Sequence, residues 1–240
     1  MSSPSIEDYI KAIYKASLQG EILSREIAER VGVSAPAVSK MLRRLVDLKL
    51  VRIHPKSGVH LTPIGIRTAL QTIRRHRLIE LYLVRELGYN WDEVHTEAER
   101  LEHHISPLFE ARIAEKLGHP DFDPHGDPIP SAEGLMPNIS EIPLSEAESA
   151  SLFIVTRLLD RDPNLLRYAA GLKLIPGAVI EFHGRQPFGG PYSIIVNGEP
   201  VGLAPEAAEQ IFGRTIAVGD EIDSMGQGRE IVGRKGKKSE

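Results

Sequence analysis

Residues 94–104 read Val94-His95-Thr96-Glu97-Ala98-Glu99-Arg100-Leu101-Glu102-His103-His104, a run dense in carboxylates and imidazoles. Residues three or four positions apart lie on the same side of an α-helix. The spacing therefore predicts one helix face that carries four candidate metal ligands: His95, Glu99, Glu102 and His103. Two carboxylates beside imidazoles repel each other unless a cation lies between them, and a divalent metal ion would meet that need. An ordinary solvated, charged helix face is the alternative.

Two other segments offer further ligands. His76 and Glu80 are four residues apart on the preceding predicted helix, so both side chains lie on one face. Asp8, near the start of the chain, adds another carboxylate. Because spacing does not establish that the three segments meet, the metal site requires a fold that brings them together.

Composition limits the class of protein. A chain of 240 residues can form two or more small domains, each with its own core. It contains no cysteine, which excludes disulfides, thiolate metal ligands and thiol nucleophiles. No apolar run approaches the roughly 20 residues of a membrane helix, and the N-terminus lacks a signal-peptide pattern. We therefore expect a cytoplasmic protein without a membrane partner.

The formal net charge of −4 is unevenly distributed. Residues 1–85 contain 15 Lys or Arg and 7 Asp or Glu, which gives this part a charge of +8. The other 155 residues contain 14 Lys or Arg and 26 Asp or Glu, which gives them a charge of −12. A basic first third indicates a polyanionic partner, whereas an acidic remainder can hold cations.

The first 73 residues have the element order of a winged helix-turn-helix. Apolar residues at helical spacing predict three helices, the third capped by Ser34 with Pro36 in its first turn. Two β-prone pieces, 50–53 and 59–61, are joined by a Pro- and Gly-containing connector, so a hairpin is predicted. In such a fold the third helix enters a DNA major groove, and Lys56 on the wing approaches phosphates. Some winged helices bind proteins instead, but the basic charge favours DNA.

Residues 74–143 are predicted to be helical and to end in a Pro-rich linker. Thr62-Pro63 starts a long helix that runs past Glu80, and Ser106-Pro107 starts another that ends near Gly118. The run 119–143 is rich in Pro, Gly and Asp and is predicted to be solvated. Its alternating histidines and aspartates are therefore not predicted to form a metal site: His119, Asp121, Asp123, His125 and Asp127.

Residues 144–226 are predicted to form a small β domain of SH3-like size. Strands are expected at 152–155, 178–182 and 192–196, and Asn197-Gly198 is a strong hairpin turn. Short helices are expected at 164–170 and 205–212. Residues 227–240 are predicted to be a flexible basic tail. The chain is thus expected to be α+β, with an N-terminal winged helix-turn-helix, a helical domain and a C-terminal SH3-like small β-barrel.

The chain resembles the diphtheria-toxin-repressor family of metal-dependent transcriptional regulators, and its manganese-responsive branch in particular. The matching segments are Ser5-Ile6-Glu7-Asp8-Tyr9-Ile10, continuing to Tyr14; the helix 34–45; Arg75-His76-Arg77-Leu78-Ile79-Glu80; Glu99-Arg100-Leu101-Glu102-His103-His104-Ile105-Ser106; and His125-Gly126-Asp127-Pro128-Ile129-Pro130. The resemblance covers most of the chain to about residue 220. It implies that residues 74–143 serve dimerisation and metal binding, and that the last domain is of the FeoA type.

The resemblance implies up to two metal ions per subunit. The primary site would use Asp8, Glu99, Glu102 and His103, and the ancillary site would use His76, Glu80 and His95. Lys11 stands where some manganese regulators have a second carboxylate, so the ancillary group is the expected second site. Asp162, or Asp160, would be a further ligand from the β domain. Hard oxygen ligands with a single imidazole suit Mn²⁺, with Fe²⁺ as the second choice.

The resemblance also implies which residues meet DNA. Base-facing positions match Ser34, Pro36, Ser39 and Lys40, and phosphate contacts are expected from Arg43 and Arg44. The implied function is a metal-activated repressor that binds palindromic operator DNA as a homodimer, controls metal-uptake genes and needs no organic substrate. Two alternatives belong to other classes: a metal-independent winged-helix sensor of a small molecule, and a metal-dependent hydrolase. The usual hydrolase motifs are absent from the sequence, so no enzyme is expected.

Overall fold

Apolar residues at helical spacing form the first three helices: α1 (Ile6–Ser17), α2 (Ser24–Val31) and α3 (Ala35–Asp47). A two-stranded antiparallel hairpin follows, with β1 (Val51–His54) and β2 (Gly58–Leu61). Fully buried side chains from α1, α2 and α3 make one core with the hairpin, among them Ile10, Ile27 and Leu45. This is the predicted winged helix-turn-helix.

The structure is a computed structural model that describes residues 5–18, 20, 22–54, 58–160 and 162–216. It divides into two units, Met1–Asn138 and Ile139–Glu240, each described by itself below. Lys56 and the predicted tail 227–240 lie outside the described residues. Among the residues that are described, no helix combines the length and apolar composition needed to cross a membrane.

Three further helices complete the first unit: α4 (Pro63–Leu87), α5 (Val94–Leu101) and α6 (Pro107–Lys116). The Thr62 side chain caps α4 by accepting a hydrogen bond from the Gly65 amide at 3.1 Å. Gly65 is required there, since a Cβ would lie 2.1 Å from the Leu50 carbonyl oxygen. The sequence predicted that α5 continues through residue 104, but it ends at Leu101, and Glu102 and His103 lie in the following turn.

The segment after α6 is not the solvated linker that the sequence predicted. Asp123 is only 6% exposed and His125 is fully buried. The Ile129 side chain packs into a core with residues of α4 and α6, which include Leu78 and Ile113. The Asp123 amide donates to the Asp127 carbonyl at 3.0 Å, so the segment closes a tight loop. The prediction failed because Pro, Gly and Asp indicate a turn but do not indicate whether its inner side is buried.

Where it is described, the second unit has one antiparallel sheet, two short α-helices and a 3-10 helix at Leu144–Glu146. Its strands are β3 (Ile142–Pro143), β4 (Ser151–Leu158), β5 (Val179–Arg185), β6 (Tyr192–Val196), β7 (Glu199–Leu203) and β8 (Ile211–Ile216). They are arranged in the order β3-β8-β4-β5-β6-β7. Asn197 and Gly198 have φ of 51° and 83° and form the predicted hairpin turn between β6 and β7.

The helices of this unit are α7 (Pro163–Gly171) and α8 (Pro205–Ala208). The helix predicted over 205–212 was wrong in its second half, because Ile211 already begins β8 and pairs with Leu158 of β4. Burial of Phe153, Phe182 and Ile211 between the strands forms the core of the small β domain.

Candidate metal centre

The fold brings α1 next to the turn that follows α5. Asp8 lies in the first turn of α1, where it forms a capping box with Ser5. Its Oδ1 is 2.7 Å from Nε2 of His103, and Oε1 of Glu102 is 3.3 Å from the same nitrogen. Ligand atoms of Asp8, Glu102 and His103 lie within 4.8 Å of one another, so these three can bind one ion. They are called the α1 group below.

Glu99, the fourth residue of the predicted primary site, is not part of the α1 group. Its Oε1 accepts a hydrogen bond from Nζ of Lys11 at 2.7 Å, and Lys11 donates to Oε1 of Glu102 at the same distance. Burial disfavours the charged amine, but the Glu102 and Glu99 carboxylates outweigh burial and raise the pKa of Lys11. The ammonium therefore lies between two of the predicted ligands, which the sequence did not indicate.

Glu7 is a second residue that the sequence prediction missed. Its Oε2 is 2.8 Å from Nδ1 of His103, and its Oε1 is 2.8 Å from a guanidinium nitrogen of Arg75. Burial opposes ionisation of Glu7, but the hydrogen bonds from His103 and Arg75 outweigh it and lower the pKa of Glu7. A carboxylate that holds one ring nitrogen of a histidine fixes how the other nitrogen is presented. Glu7 thus orients Nε2 of His103 towards Asp8.

The protonation of His103 follows from these contacts. Burial lowers its pKa, but Glu7, Asp8 and Glu102 together outweigh burial, and the pKa of His103 is raised. The imidazolium donates one N–H to Glu7 and the other to Asp8. Nε2 must lose its proton before it can bind a metal ion.

The predicted ancillary residues also meet. Nε2 of His76 is 3.0 Å from Oε1 of Glu80, and Nδ1 of His95 is 3.2 Å from the same oxygen. His76, Glu80 and His95 are called the α4 group. Burial opposes both charges, yet the His76–Glu80 pair raises the pKa of His76 and lowers that of Glu80 well below its usual range. Nδ1 of His76 also reaches Oε2 of Glu102 at 2.6 Å, so the α4 and α1 groups share one hydrogen-bond network.

A further group includes residues for which the sequence predicted no site. Glu80, Asp123 and His125 are all buried, and their ligand atoms lie within 4.8 Å of one another. They are called the loop group. Nε2 of His125 donates to the Trp91 carbonyl at 2.7 Å, so Nδ1 carries a lone pair. Within the described part of the chain, neither this Nδ1 nor Oε2 of Glu80 has a hydrogen-bond partner.

The donor sets fit a hard or borderline divalent cation. Each of the three groups offers carboxylate oxygens with one or two imidazoles, and no cysteine is available. Oxygen and imidazole donors are suited to Mn²⁺ and Fe²⁺. Buried polar atoms without partners are costly, and a cation bound by the loop group would satisfy two of them.

Asp162, the predicted ligand from the β domain, has a structural role in its own unit. It is the N-cap residue of α7, and its Oδ1 accepts a hydrogen bond from the Asn164 amide at 2.8 Å. Its side chain is exposed. A metal-binding role for Asp162 or Asp160 stays a prediction.

The residues predicted to meet DNA lie together on α3 and at its start. All six described members of the set are exposed: Ser34, Pro36, Ser39, Lys40, Arg43 and Arg44. Ser34 is the N-cap residue, but its side chain makes no capping hydrogen bond. Arg43 donates to the Ser39 carbonyl at 3.3 Å, and neither Lys40 nor Arg44 forms an ion pair with another described residue. Both cations are therefore available to a phosphate backbone.

Comparison with protein families divides the chain into three matched regions. Residues 1–59 match the iron dependent repressor, N-terminal DNA binding domain. Residues 62–131 match the iron dependent repressor, metal binding and dimerisation domain. Residues 142–215 match the FeoA domain. The predicted α+β fold class is confirmed.

Individual relatives extend the similarity along the chain. The iron-dependent repressor IdeR of Mycobacterium tuberculosis is 30% identical over 218 residues, which cover 85% of this chain and 94% of IdeR. The diphtheria toxin repressor of Corynebacterium glutamicum is 35% identical over 143 residues, which cover 59% of this chain and 60% of that protein. A solved structure described as a manganese-dependent transcriptional repressor complex with manganese is 40% identical, with a TM-score of 0.82, and the match covers 88% of this chain and all of that one.

Proposed function

The chain belongs to the diphtheria-toxin-repressor family of metal-dependent transcriptional repressors, which are not enzymes, and we propose that Mn²⁺ is the metal that activates it. The donor chemistry supports this choice, because the α1 group supplies two carboxylates and one imidazole. The manganese complex of a relative that is 40% identical also supports it. Fe²⁺ is the second candidate, since IdeR is an iron-dependent repressor.

The observation that carries the proposal is the short contact between Asp8 and His103. Asp8 lies on the first helix of the DNA-binding part, whereas His103 lies 95 residues later in the metal-binding part. Asp8, Glu102 and His103 would hold one ion, whose double positive charge attracts both carboxylates. Those side chains then fix α1 relative to the turn after α5. A ligand shifts an equilibrium only by its different affinity for the two states, so the ion favours the state in which α1 is docked.

The docked state is proposed to set two recognition helices at the spacing of a palindromic operator. Two subunits of a homodimer would each insert α3 into a major groove, with half-sites about one helical turn apart. Ser34, Pro36, Ser39 and Lys40 would face bases, and Arg43 and Arg44 would contact phosphates. The regulated genes would be those of metal uptake, so that a metal-loaded repressor lowers further import.

A second ion is proposed to bind Glu80. The sequence predicts His76 and His95 as its partners, and ligand atoms of Asp123 and His125 also lie within 4.8 Å of one of Glu80. The loop group has the stronger support, because Nδ1 of His125 and Oε2 of Glu80 have no partner among the described residues. Up to two ions per subunit would follow.

The test is Mn²⁺ titration of DNA binding by gel shift on the promoter region of a metal-uptake gene. We expect native protein to bind with Mn²⁺ and to release DNA with chelator, whereas His103→Ala loses the metal response. His104→Ala is the matched control, because His104 is the exposed neighbour of His103. Equal DNA binding with chelator and with Mn²⁺ contradicts metal activation. An unchanged DNA affinity in His103→Ala would favour a metal-independent small-molecule sensor.

A further inference from the structure

Lys11 is a buried cation inside the candidate metal centre. The residue is 6% exposed, and its ammonium lies 2.7 Å from Oε1 of Glu99 and from Oε1 of Glu102. Glu102 has no exposed surface at all. A buried carboxylate is stable only when a positive charge or hydrogen-bond donors compensate it. Lys11 compensates Oε1 of Glu102, and His76 compensates Oε2 from 2.6 Å.

The position of the ammonium coincides with a group that could otherwise hold a metal. Ligand atoms of His76, Glu99 and Glu102 lie within 4.8 Å of one another, and Lys11 contacts two of these three residues. This group is distinct from the α1 group, although both use Glu102. The ammonium contacts two of the three members of this group, whereas Glu102 is the one member of the α1 group that it contacts among the described residues, so it repels a metal ion more strongly from this group.

We propose that the Lys11 ammonium is a resident cation that occupies the group of His76, Glu99 and Glu102, excludes a metal ion from it, and limits this part of the centre to the single ion of the α1 group. The proposal rests on the proposed function, since it assumes that the α1 group binds Mn²⁺. Lys11 is thus a residue that determines metal stoichiometry without binding metal.

A regulatory consequence follows from the location of Lys11 on α1. Its two ion pairs join α1 to Glu99 on α5 and to Glu102 in the following turn, and no metal is needed for them. They partly dock α1 in the metal-free protein. Removal of the ammonium leaves Glu99 and Glu102 without that compensation, so a metal ion would then stabilise the fold more than it does in native protein.

The experiment measures bound Mn²⁺ per chain by equilibrium dialysis with metal analysis, on the full chain. Lys11→Gln removes the charge, and Lys11→Glu replaces it with another oxygen ligand. We expect each variant to bind one more ion than native protein, and Lys11→Gln to show a larger rise in melting temperature on Mn²⁺ addition. Lys15→Gln, one helical turn later on α1, is the control and should bind the native number of ions.

The outcomes separate the two proposals. If native protein binds no Mn²⁺, the proposed function fails. If native protein binds Mn²⁺ but both Lys11 variants bind the same number of ions, the resident-cation proposal is overturned. A Lys11 variant that is unfolded without metal is measured in Mn²⁺, where an extra ion supports the proposal and a native count opposes it. Lys11→Arg keeps the charge and should retain the native count; an extra ion in that variant would also oppose it.

Discussion

The α1 group and the loop group use similar side chains but compensate their charges differently. In the α1 group, Glu102 accepts a hydrogen bond from Lys11, and Asp8 accepts one from the His103 imidazolium. In the loop group, Glu80 has one oxygen without a partner among the described residues, and His125 has one such nitrogen. The protein supplies cations to both groups, since His76 pairs with Glu80 and Arg77 with Asp123, but an external cation would give a partner to the two loop-group atoms that lack one.

This difference indicates two kinds of metal response. A metal ion at the α1 group must compete with the His103 proton and with the Lys11 ammonium. Its net effect on stability is therefore the difference between the state in which these cations compensate the carboxylates and the state in which the metal ion does. A metal ion at the loop group displaces no hydrogen bond from Nδ1 of His125. The α1 group is therefore suited to a reversible switch, and the loop group to a more permanently bound ion.

The largest expected effect is the loss of Glu102. Glu102→Ala leaves the buried Lys11 ammonium with Glu99 as its remaining ion-pair partner among the described residues, and breaking a buried ion pair typically costs about 3–5 kcal/mol. We expect the free energy of unfolding of metal-free protein, measured by urea denaturation, to fall by roughly that amount. Glu97→Ala, which removes a surface pair with Arg100 at 3.6 Å, is the control and should change stability by less than about 1 kcal/mol. Similar losses in the two variants would show that Lys11 and Glu102 do not depend on each other.

The next effect concerns the loop group. His125→Ala should lower the number of bound Mn²⁺ ions by one and remove the stabilisation that this ion confers, which is about 2.7 kcal/mol at a free-ion concentration of 100 Kd. His95→Ala should retain that ion, because His95 is not a member of the loop group. Metal analysis measures the number of bound ions, and melting temperatures with and without Mn²⁺ measure the stabilisation. Loss of an ion in His95→Ala alone would favour the α4 group instead.

A smaller effect is expected from Glu7, which contacts His103 but is not part of the α1 group. Glu7→Gln weakens the hydrogen bond between residue 7 and Nδ1 of His103. Loss of such a supporting contact typically lowers metal affinity by about 10- to 100-fold. Calorimetric titration with Mn²⁺ should show a weaker affinity at an unchanged number of ions. Glu26→Gln is a control on α2. An unchanged affinity would show that Asp8 and Glu102 alone orient His103.

Periodicity in the sequence predicts much of this centre. The spacing of His76 and Glu80 predicts that both side chains lie on one face of α4, and both contact His95. The spacing of Glu102 and His103 was informative even though α5 ends before them, because the turn keeps Glu102 in a helical conformation. Local spacing is informative wherever the backbone that positions the ligands is itself local.

Partners that are distant in sequence escaped prediction. Lys11 is 88 residues from Glu99, and Glu7 is 96 residues from His103. Helical spacing places such residues on a face but does not identify what packs against that face. The same reason explains His125, whose ring stacks on Trp91 and donates to the Trp91 carbonyl 34 residues earlier, a contact that no pattern within residues 119–130 reveals. In the β domain, strand β8 was missed because it pairs with β4, more than 50 residues earlier in the sequence.

The smallest expected effect is a pH dependence to which His103 of the α1 group should contribute. Burial lowers the pKa of His103, but Glu7, Asp8 and Glu102 outweigh it, so the folded pKa lies above the ordinary 6.5. A raised pKa means that the imidazolium stabilises the fold fully below about pH 6.5 and that this stabilisation is lost as pH rises through the folded pKa. The buried His76 behaves in the same direction. Metal-free protein should therefore lose stability as pH rises above about 6.5, by at most about 1.4 kcal/mol per pH unit for each proton.

Mn²⁺ should reverse this trend, because Nε2 of His103 gives up its proton when it binds the ion. Urea denaturation at several pH values, with chelator or with Mn²⁺, measures both slopes. We expect the stabilisation by Mn²⁺ to grow as pH rises in native protein, and His103→Ala to lose the part of the slope that depends on His103. Parallel slopes in native protein and His103→Ala would mean that the imidazolium contacts with Glu7 and Asp8 do not persist in solution. The contrast between the α1 group and the loop group would then not hold for the α1 group.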